Sequence, residues 1–147
     1  MTGQSLMDEL RVATGATRTT LRAAGSGGDF AVIAESLAAG ARSLRDDRTL
    51  DPRAGATFRY LTENDGLLVQ DDAATHEFAP PPALREHYGM RAQMLGPIKQ
   101  DGELVGIVSV HYGPGPRHWR RTDIAAVERA VEQAAAIVTA PDRTARP

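Results

Sequence analysis

No stretch of the chain limits its fold as tightly as RAQMLGPIKQDGELVGIVSVHYG, residues 91–113. Two β-prone runs meet at Gln100-Asp101-Gly102. An Asp-Gly pair between such runs is the strongest short hairpin signal, because a two-residue turn that matches strand twist needs positive φ at both positions. Valine and isoleucine occupy both faces of the second run, so this hairpin is expected at the centre of a sheet covered on two sides. Side chains alternate across a strand. Val105, Ile107, Ser109 and His111 are therefore expected on one face, and Val108, Val110 and Tyr112 on the other. Two polar groups on one face of so apolar a strand either are satisfied inside a core or line a cavity.

The other segments supply the frame. In SLMDELRVATGA, Leu6, Leu10 and Val12 or Ala13 fall at helical spacing, with Asp8 and Glu9 near the start and Gly15 at the stop, which predicts an amphipathic helix within residues 1–16. TRTTLRAA and DFAVIAES flank glycines and read as an antiparallel pair. Residues 41–53 are charged and turn-rich and predict a surface loop. Phe58, Tyr60 and Leu61 predict a short helix that stops at Asn64-Asp65-Gly66, LLVQDD a short strand, and ATHEFAPPPALREHYG an excursion whose triple proline cannot sit in a central strand. In TDIAAVERAVEQAAAIV, the residues Ile124, Val127, Val131, Ala134 and Val138 recur at steps of three and four, a seam suited to a partner helix, with Thr122 as its N-cap. Helices at 1–16 and 121–138 thus bracket sheet and loop segments at 17–120. Residues 1–138 read as one α+β domain, an antiparallel sheet with its first and last helices on one face. Residues 139–147, with two prolines and little to bury, are expected to form a disordered tail.

Composition excludes several chemistries. The 147 residues contain no cysteine, so disulfides, thiolate metal sites, thiol nucleophiles and thioether-linked cofactors are all ruled out. A net charge of −2, with acids and bases interspersed, gives no field that would gather nucleic acid or an anionic membrane. No apolar run reaches the roughly 20 residues of a membrane helix. MTGQSLMDEL lacks the basic-then-apolar pattern of a signal peptide, so a cytoplasmic location is expected. Sixteen of the seventeen basic residues are arginine, which fits a GC-rich bacterial genome.

The stretch AQMLGPIKQDGELVGIVSVHYGPGPRHWRRTDIAAVERA, with TTLRAAGSGGDFAVIAES and LLVQDDA, resembles a GAF domain, a sensory module of bacterial regulators, phytochromes and cyclic-nucleotide phosphodiesterases. The G-x-L-x-G-x-[IV]-x-V-H strand and the G-P-R-x-W turn resemble the phytochrome branch in particular. The resemblance covers most of residues 17–138. It implies a GAF/PAS-like twisted antiparallel sheet with both terminal helices on one face and a ligand pocket, roofed by the variable crossover segments, on the other. It also implies dimerisation through the terminal helices. On this reading Val108, Val110 and Tyr112 pack under the helices while Ser109 and His111 point to the roofed side. Without cysteine a covalently held bilin is excluded, as is the thiol chemistry of the methionine sulfoxide reductase branch. Non-covalent haem on His111 is chemically allowed, but one histidine without a flanking pattern speaks against it, and the cofactor is left open.

The candidate ligand-binding residues are His111, Ser109, Tyr60, Asp71, Tyr88 and Gln93, the last four by position where pockets of this family are lined. Each has a structural alternative: a core imidazole for His111, lids of the core for Tyr60 and Tyr88, a turn residue for Asp71, a strand-edge amide for Gln93. Asp71, Asp72 and His76 make a sparse metal-ligand pattern that is commonplace in solvated turns, so no metal site is expected. Arg117 and Trp119 read as structural, the indole over the start of the last helix and the guanidinium paired with Asp123 or with backbone carbonyls; anion binding is the functional alternative for Arg117. The expected function is a non-catalytic, homodimeric small-molecule sensor whose output lies either on another chain or outside this stretch of sequence. The alternatives are a dimerisation scaffold whose roofed face is filled by Phe58, Phe78 and Met94, and a small enzyme using His111 with Asp71 in acid-base chemistry.

Overall fold

The computed structural model describes residues 1–139. In chain order the elements are α1 (Gly3–Thr14), β1 (Arg18–Ala24), β2 (Phe30–Leu37), α2 (Ala56–Glu63), β3 (Leu68–Gln70), α3 (Pro82–Glu86), β4 (Ala92–Gln100), β5 (Glu103–Tyr112) and α4 (Arg121–Thr139). The five strands form one sheet in the order β2-β1-β5-β4-β3, and every pairing is antiparallel. The fold class is α+β. The hairpin behaves as its turn chemistry dictates: Asp101 and Gly102 both take positive φ, 54° and 83°, and β5 lies in the middle of the sheet.

Local signals set the ends of α1. The Thr2 hydroxyl accepts from Ser5 N while Ser5 Oγ accepts from Thr2 N, and Gly15 closes the helix in the left-handed region at φ 67°. Leu6, Met7 and Leu10 go into the core. Val12 is 73 % exposed, so the inward face does not include it. At α4, Thr122 is not the cap. Arg120 occupies that position, its carbonyl accepting from Ile124 N. The Asp123 carboxylate reaches back to Arg120 N at 2.9 Å. Asp123 wins because a carboxylate three residues into the helix meets both the orphan N–H and the positive end of the helix dipole. The tail expected from residue 139 lies, beyond Thr139, outside the described residues.

The two faces of the sheet are packed differently. On one, α1 and α4 cover a continuous cluster that includes Leu21, Met94, Val108, Val110, Val127 and Ala134. On the other, the apolar residues split into two smaller clusters, one around Val32, Leu44, Leu50 and Leu84, the other around Phe30, Leu61, Leu95 and Ile107. Between them runs a polar stripe formed by alternate residues of two paired strands, Arg18, Thr20 and Arg22 of β1 with His111 and Ser109 of β5 opposite the first two. Those side chains keep the two clusters from merging.

Two irregularities set which residues reach which face. Opposite Leu21 and Arg22 the register skips Ile33, so Val32 turns to the roofed side and Ala34 to the helices. On β5 the register skips Val105 between Gly106 and Leu104. The extra residue reverses the alternation beyond it. Val105 consequently packs with the helix-side core and Leu104 with Ile107, which corrects the expectation that Val105 shares the face of Ser109 and His111.

Candidate functional site

A cavity of about 40 Å³ lies over the polar stripe, floored by Thr20, Arg22, Leu95, Ile107, Ser109 and His111 and roofed by the 41–53 loop, α2, Pro81 and α3. Of the roof, Leu44, Leu50 and Pro52 come from the loop, Thr57, Phe58 and Leu61 from α2, and Leu84 from α3. A water needs roughly 10–15 Å³ of such space, so the cavity holds about three waters or a few heavy atoms.

Buried polar contacts tie roof to floor. Arg18 is 1 % exposed. Its Nε donates to Arg42 O at 2.9 Å, its Nη1 meets His111 Nδ1 at 3.0 Å, and its guanidinium lies over the Tyr88 ring. The Glu35 carboxylate accepts from Leu44 N at 2.7 Å and from Ser43 Oγ. Tyr88 Oη donates to Asp47 in the roof loop. Hydrogen bonds from Thr49, then from Tyr88, hold the Asp47 pKa down at about 2. Burial pushes the Tyr88 pKa up, and the Asp47 charge adds to it.

Because guanidinium only donates, His111 Nδ1 is the acceptor, and the neutral ring carries its proton on Nε2. Burial first, then the charges of Arg18 and Arg22, hold the His111 pKa well below 6.5. The charged groups facing this stretch of floor are Arg18, Arg22 and Glu35, and Gln93 lies beside it on β4. As pH falls, the unfolded chain takes up a proton at His111 near pH 6.5 while the folded chain does not, so stability is lost downward from that pH. The folding constant of the native protein should drop, relative to a His111→Gln variant, by up to about tenfold per pH unit below 6.5. Urea titrations between pH 7.5 and 5 measure this. Parallel curves for the two proteins would show that the imidazole protonates freely in the folded state.

The six sequence candidates separate. Ser109 and His111 line the cavity. Gln93 is fully buried on the adjacent strand, its Nε2 donating to Gln70 Oε1 at 2.8 Å. Tyr60 packs on Phe78 with ring centroids 5.2 Å apart, and Tyr88 ties α3's end to the roof loop; neither is among the lining residues. Asp71 braces the turn before α4: its carboxylate accepts from Trp119 N and contacts His118 Nδ1, and its carbonyl accepts from Arg117 N. The acid-base pair of His111 with Asp71 is thus not formed. Phe58 lines the cavity, whereas Met94 faces the helices. Among the described residues no cluster of three or more His, Asp or Glu could hold a metal.

Sequence reasoning missed Arg18, Thr20 and Arg22. Their signal was present in RTTLR, where two arginines and a threonine at every second position share one face of a strand. The turn reading held at Arg117 and Trp119. Arg117 Nη2 lies 3.3 Å from Asp123 Oδ2, its guanidinium sits over both the Tyr112 and Trp119 rings, and Trp119 Nε1 donates to Gln70 O at 3.1 Å.

An antiparallel sheet with terminal helices on one face and a roofed, polar-floored cavity on the other defines a single α+β class of small domain. Residues 2–138 match the family model of the GAF domain, and the chain belongs to that family. Solved structures agree on the fold. The blue-light absorbing form of the PixJ GAF domain of Thermosynechococcus elongatus superposes with a TM-score of 0.77 at 19% identity, over 98% of this chain and 86% of that one. The chromophore-binding domain of the bacteriophytochrome RpBphP3 from R. palustris gives 0.76 at 20% identity, over 97% of this chain and 55% of that one. GAF3 from Slr1393 of Synechocystis sp. PCC6803, in its photoproduct state, gives 0.75 at 23% identity, over 97% and 94%. No curated protein matches the chain in sequence. No helix among the described residues is long and apolar enough to cross a membrane.

A tetrapyrrole does not fit this site. Pockets for drug-sized ligands occupy roughly 300–1,000 Å³, against about 40 Å³ here, and there is no cysteine to anchor a bilin. His111 also has one ring nitrogen engaged by Arg18.

Proposed function

We propose that this GAF domain is a non-catalytic sensor that binds a small molecule over Ser109 and His111 and passes its occupancy to α1 and α4. The observation that carries this reading is the cavity itself. It lies over a floor of polar side chains in which Thr20 Oγ1 is buried without a hydrogen-bond partner. An unpaired buried hydroxyl costs about 1–3 kcal/mol, a cost that a ligand can remove. The floor strands are the ones that α1 and α4 cover from behind, so a ligand that favours one arrangement of the sheet also favours one arrangement of the helices.

A homodimer through the terminal helices belongs to the same reading. Ile124, Val131 and Val138 of the α4 seam remain partly exposed although Val127 and Ala134 are fully buried, and Val12 stands exposed on α1.

Thermal unfolding in the presence of nucleotides, small acids and aromatics tests the sensor reading. A ligand at 100 times its Kd adds about 2.7 kcal/mol, which for a chain of this size raises Tm by roughly 5–10 °C. A Ser109→Val variant should lose that rise. If no compound in such a panel moves Tm, the scaffold reading replaces this one. Sedimentation should show a dimer at tens of micromolar protein, and a monomer there would remove the dimer from the proposal.

A further inference from the structure

The groups that face the cavity share one chemical character. Arg22 separates the cavity from an open groove of about 470 Å³ between β2 and the roof loop, and Leu44, Leu50 and Pro52 complete that partition. Its Nη1 donates to Phe30 O at 2.7 Å, the one side-chain hydrogen bond it makes among the described residues. A guanidinium has five N–H donors. His111 presents Nε2–H because Nδ1 is taken by Arg18. Thr20 and Ser109 contribute hydroxyls. A ligand that meets these groups must accept hydrogen bonds.

Charge narrows the class further. The buried side of the roofed face holds two guanidiniums, Arg18 and Arg22, and one carboxylate, Glu35. Glu35 is already engaged by Ser43 and Leu44. Asp47 and Asp51 act on Arg22 from the solvent side, where they are bound to Thr49 and Tyr88 and to Arg53. Among the buried groups alone, guanidiniums outnumber carboxylates by one, with Asp47, whose hydrogen-bond partners are neutral, offsetting that charge from the solvent side. A dianion such as phosphate would overshoot it and would lie against hydrocarbon, since Phe58, Leu61, Leu84, Leu95 and Ile107 make up much of the remaining wall.

We infer that the cavity takes a small aliphatic monocarboxylate, its carboxylate on Arg22 and Thr20 and its hydrocarbon against Leu61 and Ile107. The inference rests on the sensor reading and specifies its ligand. Access runs from the groove past Arg22, and the volume limits the unopened site to acids of a few carbons.

Methyl NMR of protein labelled at leucine, isoleucine and valine tests it, with sodium isobutyrate and its neutral isostere isobutyramide titrated at constant ionic strength. Isobutyrate should shift the Leu61, Leu84 and Ile107 methyls saturably, and isobutyramide should bind at least tenfold more weakly. Arg22→Met should raise the isobutyrate Kd tenfold or more. Thr20→Val, which keeps shape, should raise it about fivefold, with unchanged Val110 and Val127 methyls reporting an intact helix-side core. Arg45→Gln, in the groove but not the cavity, should leave it unaltered. Equal binding of acid and amide overturns the anion assignment while leaving the sensor reading standing. Shifts confined to the groove, or no shift at any cavity methyl, overturn it too, and the broader thermal screen then decides the sensor reading separately.

Discussion

Trp119→Ala should be the most destabilising single change in the chain, lowering the unfolding free energy by about 3–5 kcal/mol, the range for emptying a buried indole site. Trp119 is 3 % exposed and joins three parts that are distant in sequence. Its Nε1 donates to Gln70 O at the end of β3, its ring meets Tyr112 of β5 edge-on at 6.3 Å, and Arg117 stacks over it at 4.4 Å. With total stabilities of about 5–15 kcal/mol, the alanine variant should be largely unfolded at 37 °C. Trp119→Phe keeps a ring under Arg117 and loses the Nε1 hydrogen bond, so a loss of about 1–2 kcal/mol is expected. Because Trp119 is the only tryptophan, urea unfolding followed by circular dichroism is the appropriate measurement. A cost below 1 kcal/mol for the alanine variant would mean that the turn before α4 is not fastened by the indole.

The second large effect should come from adding one carbon. Gly96 lies on β4 directly beneath α4, and a Cβ there would stand 2.3 Å from Val131 Cγ2 and 3.1 Å from Leu67 Cδ2. Valine is short and branched and cannot swing aside, so the helix itself must move. Gly96→Ala should cost about 1–3 kcal/mol, as overpacking does, against the gain that alanine ordinarily brings to a strand. Val131→Ala in the same chain should restore at least part of that loss. The two changes should therefore be non-additive by about 1 kcal/mol or more. Additive costs would show that helix and sheet do not touch at this point.

Much of the architecture was legible in the chain because its local and long-range preferences agree. The Asp101-Gly102 turn, the glycine-rich connection between β1 and β2 and the period of Leu6 and Leu10 each required one local conformation, and α1, β1, β2, β4 and β5 formed within a residue or two of where their patterns placed them. Sequence reading erred where the outcome depends on contacts between strands. The extra residues at Ile33 and Val105 carry no composition signal of their own, yet each reverses the faces beyond it. The same holds for the site. Ser109 and His111 stand out as polar breaks in an apolar run, whereas Tyr60, Asp71 and Tyr88 are suggested only by the family resemblance, and in the structure they brace the roof and the turn. Arg18, Thr20 and Arg22 went unweighed because arginine in a surface-like hairpin is ordinarily solvated, and only pairing with β5 brings that stripe inside.

The polar floor and the helix-side core are opposite sides of one polypeptide layer. In β5, Ser109 and His111 alternate with Val108 and Val110, which belong to the hydrophobic cluster under the helices. No layer of side chains lies between the two faces at these positions: consecutive residues of one strand contribute to each. The cavity floor and the seat of the terminal helices are thus separated by the thickness of a single backbone.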